Sequence, residues 1–201
     1  MKIGIMGGTF NPIHNGHLAL AAVAKESAEL DEVWFMPSGL PAHKSNDELL
    51  PAKTRLDMVA LAIAGIKGFV VSSFEIDRPG YTYTADTVTA LNEEYPQHEF
   101  FFIVGGDSLM MFHHWVKPEV ISAHVTLLAT GRDGLSQELL RSKAEELKAS
   151  FGTKIQLLPM EEFDISSNRI RSFFKENNVE AVKNQIPIAV YEYIVEHGLY
   201  Q

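Results

Sequence analysis

Two histidines three residues apart, in the run Gly7-Gly8-Thr9-Phe10-Asn11-Pro12-Ile13-His14-Asn15-Gly16-His17, are the side chains best placed to do chemistry. They follow Lys2–Met6, a short apolar run that reads as a strand. Two glycines at a strand end let the backbone turn sharply and bring amides close to a ligand. Thr9 adds a hydroxyl, and Pro12 stiffens the loop. Asn15-Gly16 marks a helix start, so His17 falls in the first turn and His14 just before it. Both imidazoles can then face an anion at the positive end of the helix. The glycine spacing is neither the G-x-G-x-x-G of dinucleotide-binding dehydrogenases nor the G-x-x-x-x-G-K-[ST] of P-loop NTPases. Histidines stand where the P-loop has its lysine. A zinc site is a competing reading, but local spacing supplies no third ligand. A structural turn with two surface histidines is the plainest alternative, and the pairing behind Gly-Gly argues against it.

Three further segments carry donors or acceptors. Ile165-Ser166-Ser167-Asn168-Arg169-Ile170-Arg171 opens a late helix, where hydroxyls, exposed amides and Arg171 make a second phosphate-binding cluster. Gly105-Gly106-Asp107-Ser108 follows an apolar strand and offers Asp107 as an acceptor for ribose hydroxyls. Gly80-Tyr81-Thr82-Tyr83-Thr84-Ala85-Asp86-Thr87 opens another helix, with Thr84 as the expected N-cap. Taken alone, the last is only a capped helix.

The elements that must position these residues alternate along the chain. Candidate strands are Lys2–Met6, Glu32–Met36, Phe69–Phe74, Glu99–Val104, Val125–Ala129 and Lys154–Leu158. Their nearly continuous apolar character is that of strands covered on both faces. Candidate helices lie near Gly16–Glu29, Lys53–Ile63, Ala85–Glu94, Pro118–Ile121, Ser136–Ala149, Asn168–Glu176 and Ile188–Glu196. This pattern predicts an α/β fold, a doubly wound, Rossmann-like parallel sheet with helices on both faces. We expect a single domain over 1–201, with a helical C-terminal segment from about 165 to 201. Pro37–Pro51 reads as a long functional loop.

The bulk composition narrows the partners. The formal charge of −9 argues against a nucleic-acid surface but not against a local anion site. With no cysteine, disulfides, thiolate metal sites and cysteine nucleophiles are excluded. Neither a signal-peptide order of segments nor an apolar run of membrane-spanning length is present, so a cytoplasmic protein is expected.

The run His14-Asn15-Gly16-His17 resembles the H-x-G-H signature of the nucleotidyltransferase superfamily. The longer run from Gly7 to His17 is similar to bacterial nicotinate-mononucleotide adenylyltransferases, with Asn11 where that family usually has Asp. Further likenesses cover almost the whole chain: Pro41-Ala42-His43-Lys44, Tyr83-Thr84-Ala85-Asp86-Thr87, Gly105-Gly106-Asp107, the Ser166-Ser167 helix start with Asn168 for the usual Thr, and the tail Tyr191 to Tyr200.

The resemblance implies adenylyl transfer from ATP to nicotinate mononucleotide, giving nicotinate adenine dinucleotide and pyrophosphate. It makes His14, His17, Lys44 and Arg171 the catalytic set, with His43 assisting. It assigns Gly7, Gly8, Thr9, Phe10, Gly105, Asp107, Ile165, Ser166 and Ser167 to ATP, and Tyr83, Thr84 and Trp115 to the pyridine nucleotide. Trp115 would stack on the pyridine ring, and the start of the Thr84 helix would hold its carboxylate. Mg²⁺ is expected on ATP, with few protein ligands. His113 and His114 receive no role. The family often forms dimers, so a homodimer stands as an option, with no nucleic acid or membrane as partner. Alternatives are nicotinamide mononucleotide or phosphopantetheine as acceptor, or a non-catalytic nucleotide-binding module.

Overall fold

Residues whose side chains alternate between two covered faces make the central strands of this protein, and each is followed by a helix that returns the chain to pair in parallel. The computed structural model describes residues 1–41, 49–130, 137–159 and 165–201. In chain order the strands are β1 (Lys2–Gly8), β2 (Glu32–Pro37), β3 (Leu40–Pro41), β4 (Phe69–Val71), β5 (Tyr81–Thr82), β6 (Glu99–Val104), β7 (Thr126–Ala129) and β8 (Lys154–Leu157). The helices are α1 (Asn15–Ser27), α2 (Ala52–Ile63), α3 (Thr84–Glu94), α4 (Gly106–Met110), α5 (Pro118–His124), α6 (Gln137–Phe151), α7 (Ser167–Lys175) and α8 (Ile188–Glu196).

The main sheet has the order β4-β2-β1-β6-β7-β8, and every pair is parallel. The chain moves outward from β1 through β2 to β4, then comes back to β6 on the other side of β1. The topological switch point therefore lies between β1 and β6. A ligand crevice forms there, beyond the carboxyl ends of the two strands. Those ends are Gly7-Gly8 and Val104-Gly105.

The helices divide between two apolar cores, one on each face. One core joins α1, α2, α7 and α8 through Leu20, Ala24, Met58, Val59, Ile170, Phe174, Val190 and Ile194. The other joins α3, α4, α5 and α6 through Val88, Leu91, Leu109, Ile121, Leu140 and Leu147. The doubly wound fold read from the sequence is the one observed.

Three expectations change at element boundaries. The strand expected to run to Phe74 ends at Val71, because β4 is an edge strand whose Val70 and Val71 are exposed. Beyond it the chain turns on itself, with the Ser73 hydroxyl donating to Asp77 at 2.6 Å. The helix expected to stop at Ile121 continues to His124, which moves the start of β7 to Thr126. Within Pro37–Pro51, β3 pairs with β5 in a small second sheet, and residues 42–48 lie outside the described chain.

After α8 the tail folds back onto α7 and the loop that follows β1. The Tyr200 ring packs on Phe174, and its hydroxyl donates to Asn11 Oδ1 at 2.8 Å. Burial holds the phenol proton well above the ordinary tyrosine value, against the opposing pull of the Arg171 and Arg55 charges.

Two outcomes follow. A Cβ at Gly4 would lie 2.6 Å from Leu30 Cδ1 and 3.1 Å from Ile103 Cδ1. Gly4→Ala is therefore expected to cost about 1–3 kcal/mol through overpacking, read as a lower urea midpoint; an unchanged midpoint would show that β1 has room to spare. Tyr200→Phe should cost about 1 kcal/mol at neutral pH, the scale of one hydrogen bond. The phenol has a raised folded value, so its contribution is complete below the unfolded tyrosine value of about 10 and is lost as pH rises beyond it. Melting curves from pH 8 to 11 should therefore fall more steeply for the native chain than for Tyr200→Phe.

Candidate active site

The first turn leaves β1 at Gly8 and enters α1 at Asn15 with His14 as the N-cap. The His14 N–H donates to His17 Nδ1 at 3.2 Å, and the His17 N–H donates to the His14 carbonyl at 2.9 Å. The two rings stack with centroids 3.6 Å apart. His14 is buried at 2 % exposure, while His17 is half-buried. Because His17 Nδ1 accepts, its ring proton sits on Nε2, so this imidazole acts as an Nε2–H donor. Gly16 makes the stacking possible, since a Cβ there would sit 3.0 Å from His14 Nδ1. Phe10, at φ 50°, packs edge-on against His17 with centroids 5.0 Å apart.

The start of α7 closes on this turn from a distant part of the sequence. The Ser167 hydroxyl donates to the Pro12 carbonyl at 2.8 Å, and Arg171 donates to the Asn11 carbonyl at 3.0 Å. A second nitrogen of Arg171 donates to Asn168 Oδ1 at 2.8 Å. Ser166 is the N-cap of α7, accepting from the Arg169 amide at 3.3 Å. Ile165 lies over Gly16, 3.8 Å from the position of a Cβ there. Gly7, Gly8, Thr9, Phe10, His14, His17, Ile165, Ser166, Ser167 and Arg171 thus form one cluster at the carboxyl end of β1. Lys44 and His43 lie outside the described residues. Asn11, where the resembling family carries Asp, is a junction in this cluster. Its side-chain carbonyl accepts from Tyr200 and from the Leu50 amide at 3.3 Å.

The residues assigned to the pyridine nucleotide approach from the other face of the sheet. Trp115 packs on Phe112 and on Phe102 of β6, with centroids 5.4 Å and 6.0 Å away. Phe102 in turn underlies Gly7, whose Cβ position is 3.0 Å from Phe102 Cζ. Asp107 is exposed in the first turn of α4, with Oδ1 accepting from the Ser108 amide at 2.8 Å, and Gly105 is the N-cap. Thr84 is not the cap of α3. Tyr83 occupies that position in extended backbone and makes no side-chain cap bond, so Thr84 is the first helical residue. The start of α3 thus lacks the hydroxyl cap read from the sequence.

Two charged residues in this region were not read from the sequence. Glu75 Oε1 accepts from the Thr87 hydroxyl at 2.7 Å behind the start of α3. Burial pushes its carboxyl above the usual range, opposed by Thr87, Thr82 and the Arg78 charge. Arg55 is 1 % exposed beneath the first turn and bonds only main-chain carbonyls among its described partners. Periodicity held a signal for it: Arg55, Met58, Val59 and Ala62 are one helical stripe, and the last three are apolar. No three His, Asp or Glu side chains gather into a metal site among the described residues.

The cytidylyltransferase-like family model matches residues 5–173, from β1 into α7. A protein of Lachnoclostridium phytofermentans named "Probable nicotinate-nucleotide adenylyltransferase" is 42% identical over 199 residues, covering 99% of this chain and 98% of its own length. The nicotinic acid mononucleotide adenylyltransferase of Plasmodium falciparum complexed with APC superposes with a TM-score of 0.80 at 22% identity, over 99% of this chain and 96% of that one. The same Plasmodium protein complexed with NaAD gives 0.79 at 23% identity, over 99% and 97%. The structural likeness extends the fold to solved relatives, and the sequence identity over the full length carries the kinship further. The chain belongs to the cytidylyltransferase-like nucleotidyltransferases and, within them, to the nicotinate-nucleotide adenylyltransferase family.

Proposed function

We propose that this protein transfers the adenylyl group of ATP to nicotinate mononucleotide, releasing pyrophosphate and nicotinate adenine dinucleotide for NAD synthesis. The observation that carries the reading is the pair of bonds by which Ser167 and Arg171 reach the first turn, at the switch point of the sheet. They bring together two sets of anion donors that the sequence separates. The full-length kinship with proteins named for this activity supports the same reaction, and the Plasmodium complexes with APC and NaAD support nucleotide substrates of this kind.

The phosphate of nicotinate mononucleotide attacks the α-phosphorus of ATP in line. A new P–O bond forms as the bond to the β-phosphate oxygen breaks, and the electron pair leaves with pyrophosphate. The nucleophile is already an anion at neutral pH, so no general base is required, and catalysis is positioning plus charge stabilisation. His17 donates through Nε2–H to the α-phosphate, with His14 fixing the ring. Arg171 and Lys44 neutralise the departing pyrophosphate. Thr9, Ser166, Ser167 and the amides of the first turn orient phosphates, with Gly7, Gly8, Phe10, Gly105 and Ile165 shaping the floor. Asp107 binds a ribose. Trp115 stacks on the pyridine ring, and the amides at Tyr83 and Thr84 hold its carboxylate. Mg²⁺ would accompany ATP and supply further charge neutralisation, with few protein ligands. We place the enzyme in the cytoplasm, acting on small nucleotides as a monomer or homodimer; no helix among the described residues is long and apolar enough to cross a membrane.

Pyrophosphate release measured in parallel with nicotinate mononucleotide, nicotinamide mononucleotide and phosphopantetheine tests the reading. The first should be the preferred acceptor, and release with none would make the protein a binding module. His17→Ala should lower kcat by roughly 10²-fold or more, the cost of one lost charge-stabilising donor; near-normal turnover in a folded variant would remove His17 from the chemistry. Trp115→Ala should raise KM for the pyridine nucleotide and leave KM for ATP nearly constant. The reverse pattern would put the indole on the ATP side.

A further inference from the structure

Arg55 lies in α2, away from every segment that carries a phosphate-binding pattern, yet its guanidinium sits directly behind the first turn. Nε donates to the Leu50 carbonyl at 3.0 Å. One terminal nitrogen donates to the Thr9 carbonyl at 2.8 Å. The other donates to the carbonyls of Ser38 at 2.7 Å and Gly39 at 3.0 Å. Three chain segments are therefore pinned by one buried cation whose described partners are all neutral oxygens. Desolvation makes this an expensive way to brace a loop, since four neutral acceptors do not cancel the charge. A structural brace alone could be built from neutral groups.

The Thr9 bond has a directional consequence. In a trans peptide the N–H points opposite to the C=O, and the only cis bond among the described residues is Asn11–Pro12. With the Thr9 carbonyl held toward Arg55, the N–H of Phe10 is turned to the opposite side. The preceding carbonyl, that of Gly8, is also engaged on the β2 side, accepting from the Ser38 amide at 2.8 Å. Successive carbonyls held on one side leave successive amide N–H groups aimed at the other, the arrangement that makes backbone anion nests.

We propose that Arg55 is a positioning residue for the triphosphate: it fixes the Thr9–Phe10 peptide so that the Phe10 N–H faces the phosphates, and adds a fixed positive charge behind them. The proposal rests on the adenylyl-transfer reading above. Lysine cannot replace it, because a single ammonium has neither the planar fork nor enough donors to hold four carbonyls from three segments.

Steady-state kinetics of Arg55→Lys and Arg55→Met decide the matter when set beside Leu147→Ala. Leu147 is fully buried near the end of α6, by the opposite edge of the sheet, so its truncation lowers stability without touching the turn. Both Arg55 variants should raise KM for ATP by about tenfold or more, the scale of a lost charge-assisted hydrogen bond. KM for nicotinate mononucleotide should stay within about twofold, and Leu147→Ala should leave KM for ATP unchanged. If Arg55→Lys binds ATP no worse than Leu147→Ala does, Arg55 is a structural brace only and the proposal fails. Should neither Arg55 variant fold, the native chain provides the test through the ¹⁵N–¹H signal of Phe10 during titration with a non-hydrolysable ATP analogue. A large saturable shift supports the proposal, and an unmoved signal overturns it. Failure of the underlying reading is distinguishable, because the native chain would then release no pyrophosphate with any acceptor.

Discussion

Two hydrogen bonds from α7 to the first turn hold the candidate site together. The Ser167 hydroxyl and the Arg171 guanidinium donate to successive main-chain carbonyls, those of Pro12 and Asn11. Carbonyls in a turn have no strand or helix partner and must find donors elsewhere. Here the donors come from the start of α7, more than 150 residues away in the sequence. Satisfying the turn and assembling the site are thus one event. Without this pairing, β1 would end in a glycine-rich loop with two stacked histidines, and α7 would be a capped surface helix.

The parallel sheet divides the labour between its faces. The histidine turn's helix α1 and the helix α7 share one core, while Trp115 and the start of α3 belong to the other. The two groups meet only beyond the ends of β1 and β6, where Phe102 underlies Gly7 and carries Trp115. In the proposed reaction the triphosphate of one substrate and the pyridine ring of the other would meet there from opposite sides. Topology alone puts the crevice at that point.

Much of this was legible in the sequence because it is local. Periodicity located β6 and α8 to the residue, and most other elements to within two. Glycine pairs and capping serines marked the strand ends and the start of α7. What escaped was of another kind. β4 reads as a longer strand because apolar content does not distinguish an edge from a centre. Thr84 looked like a cap because its hydroxyl is the right group one residue too late. Arg55 was passed over because an arginine in a helix is ordinarily solvated, though its place on the apolar stripe of α2 marked it as buried. The bond between Asn11 and Tyr200 joins residues 189 apart, and no pattern within a window of the chain can announce it.

That separation has a bearing on how the protein is made. Synthesis proceeds from the amino terminus, and a domain generally folds as a unit. The turn at Asn11-Pro12 emerges early, but Ser167 follows its partner Pro12 by 155 residues, and Arg171 and Tyr200 follow Asn11 by 160 and 189. A nascent chain displays the glycine turn and the histidine pair long before anything can close over them. The turn therefore stays open until α7 has been made, and a fragment that stops before Ser167 carries the glycine turn and the histidine pair without their distant donors.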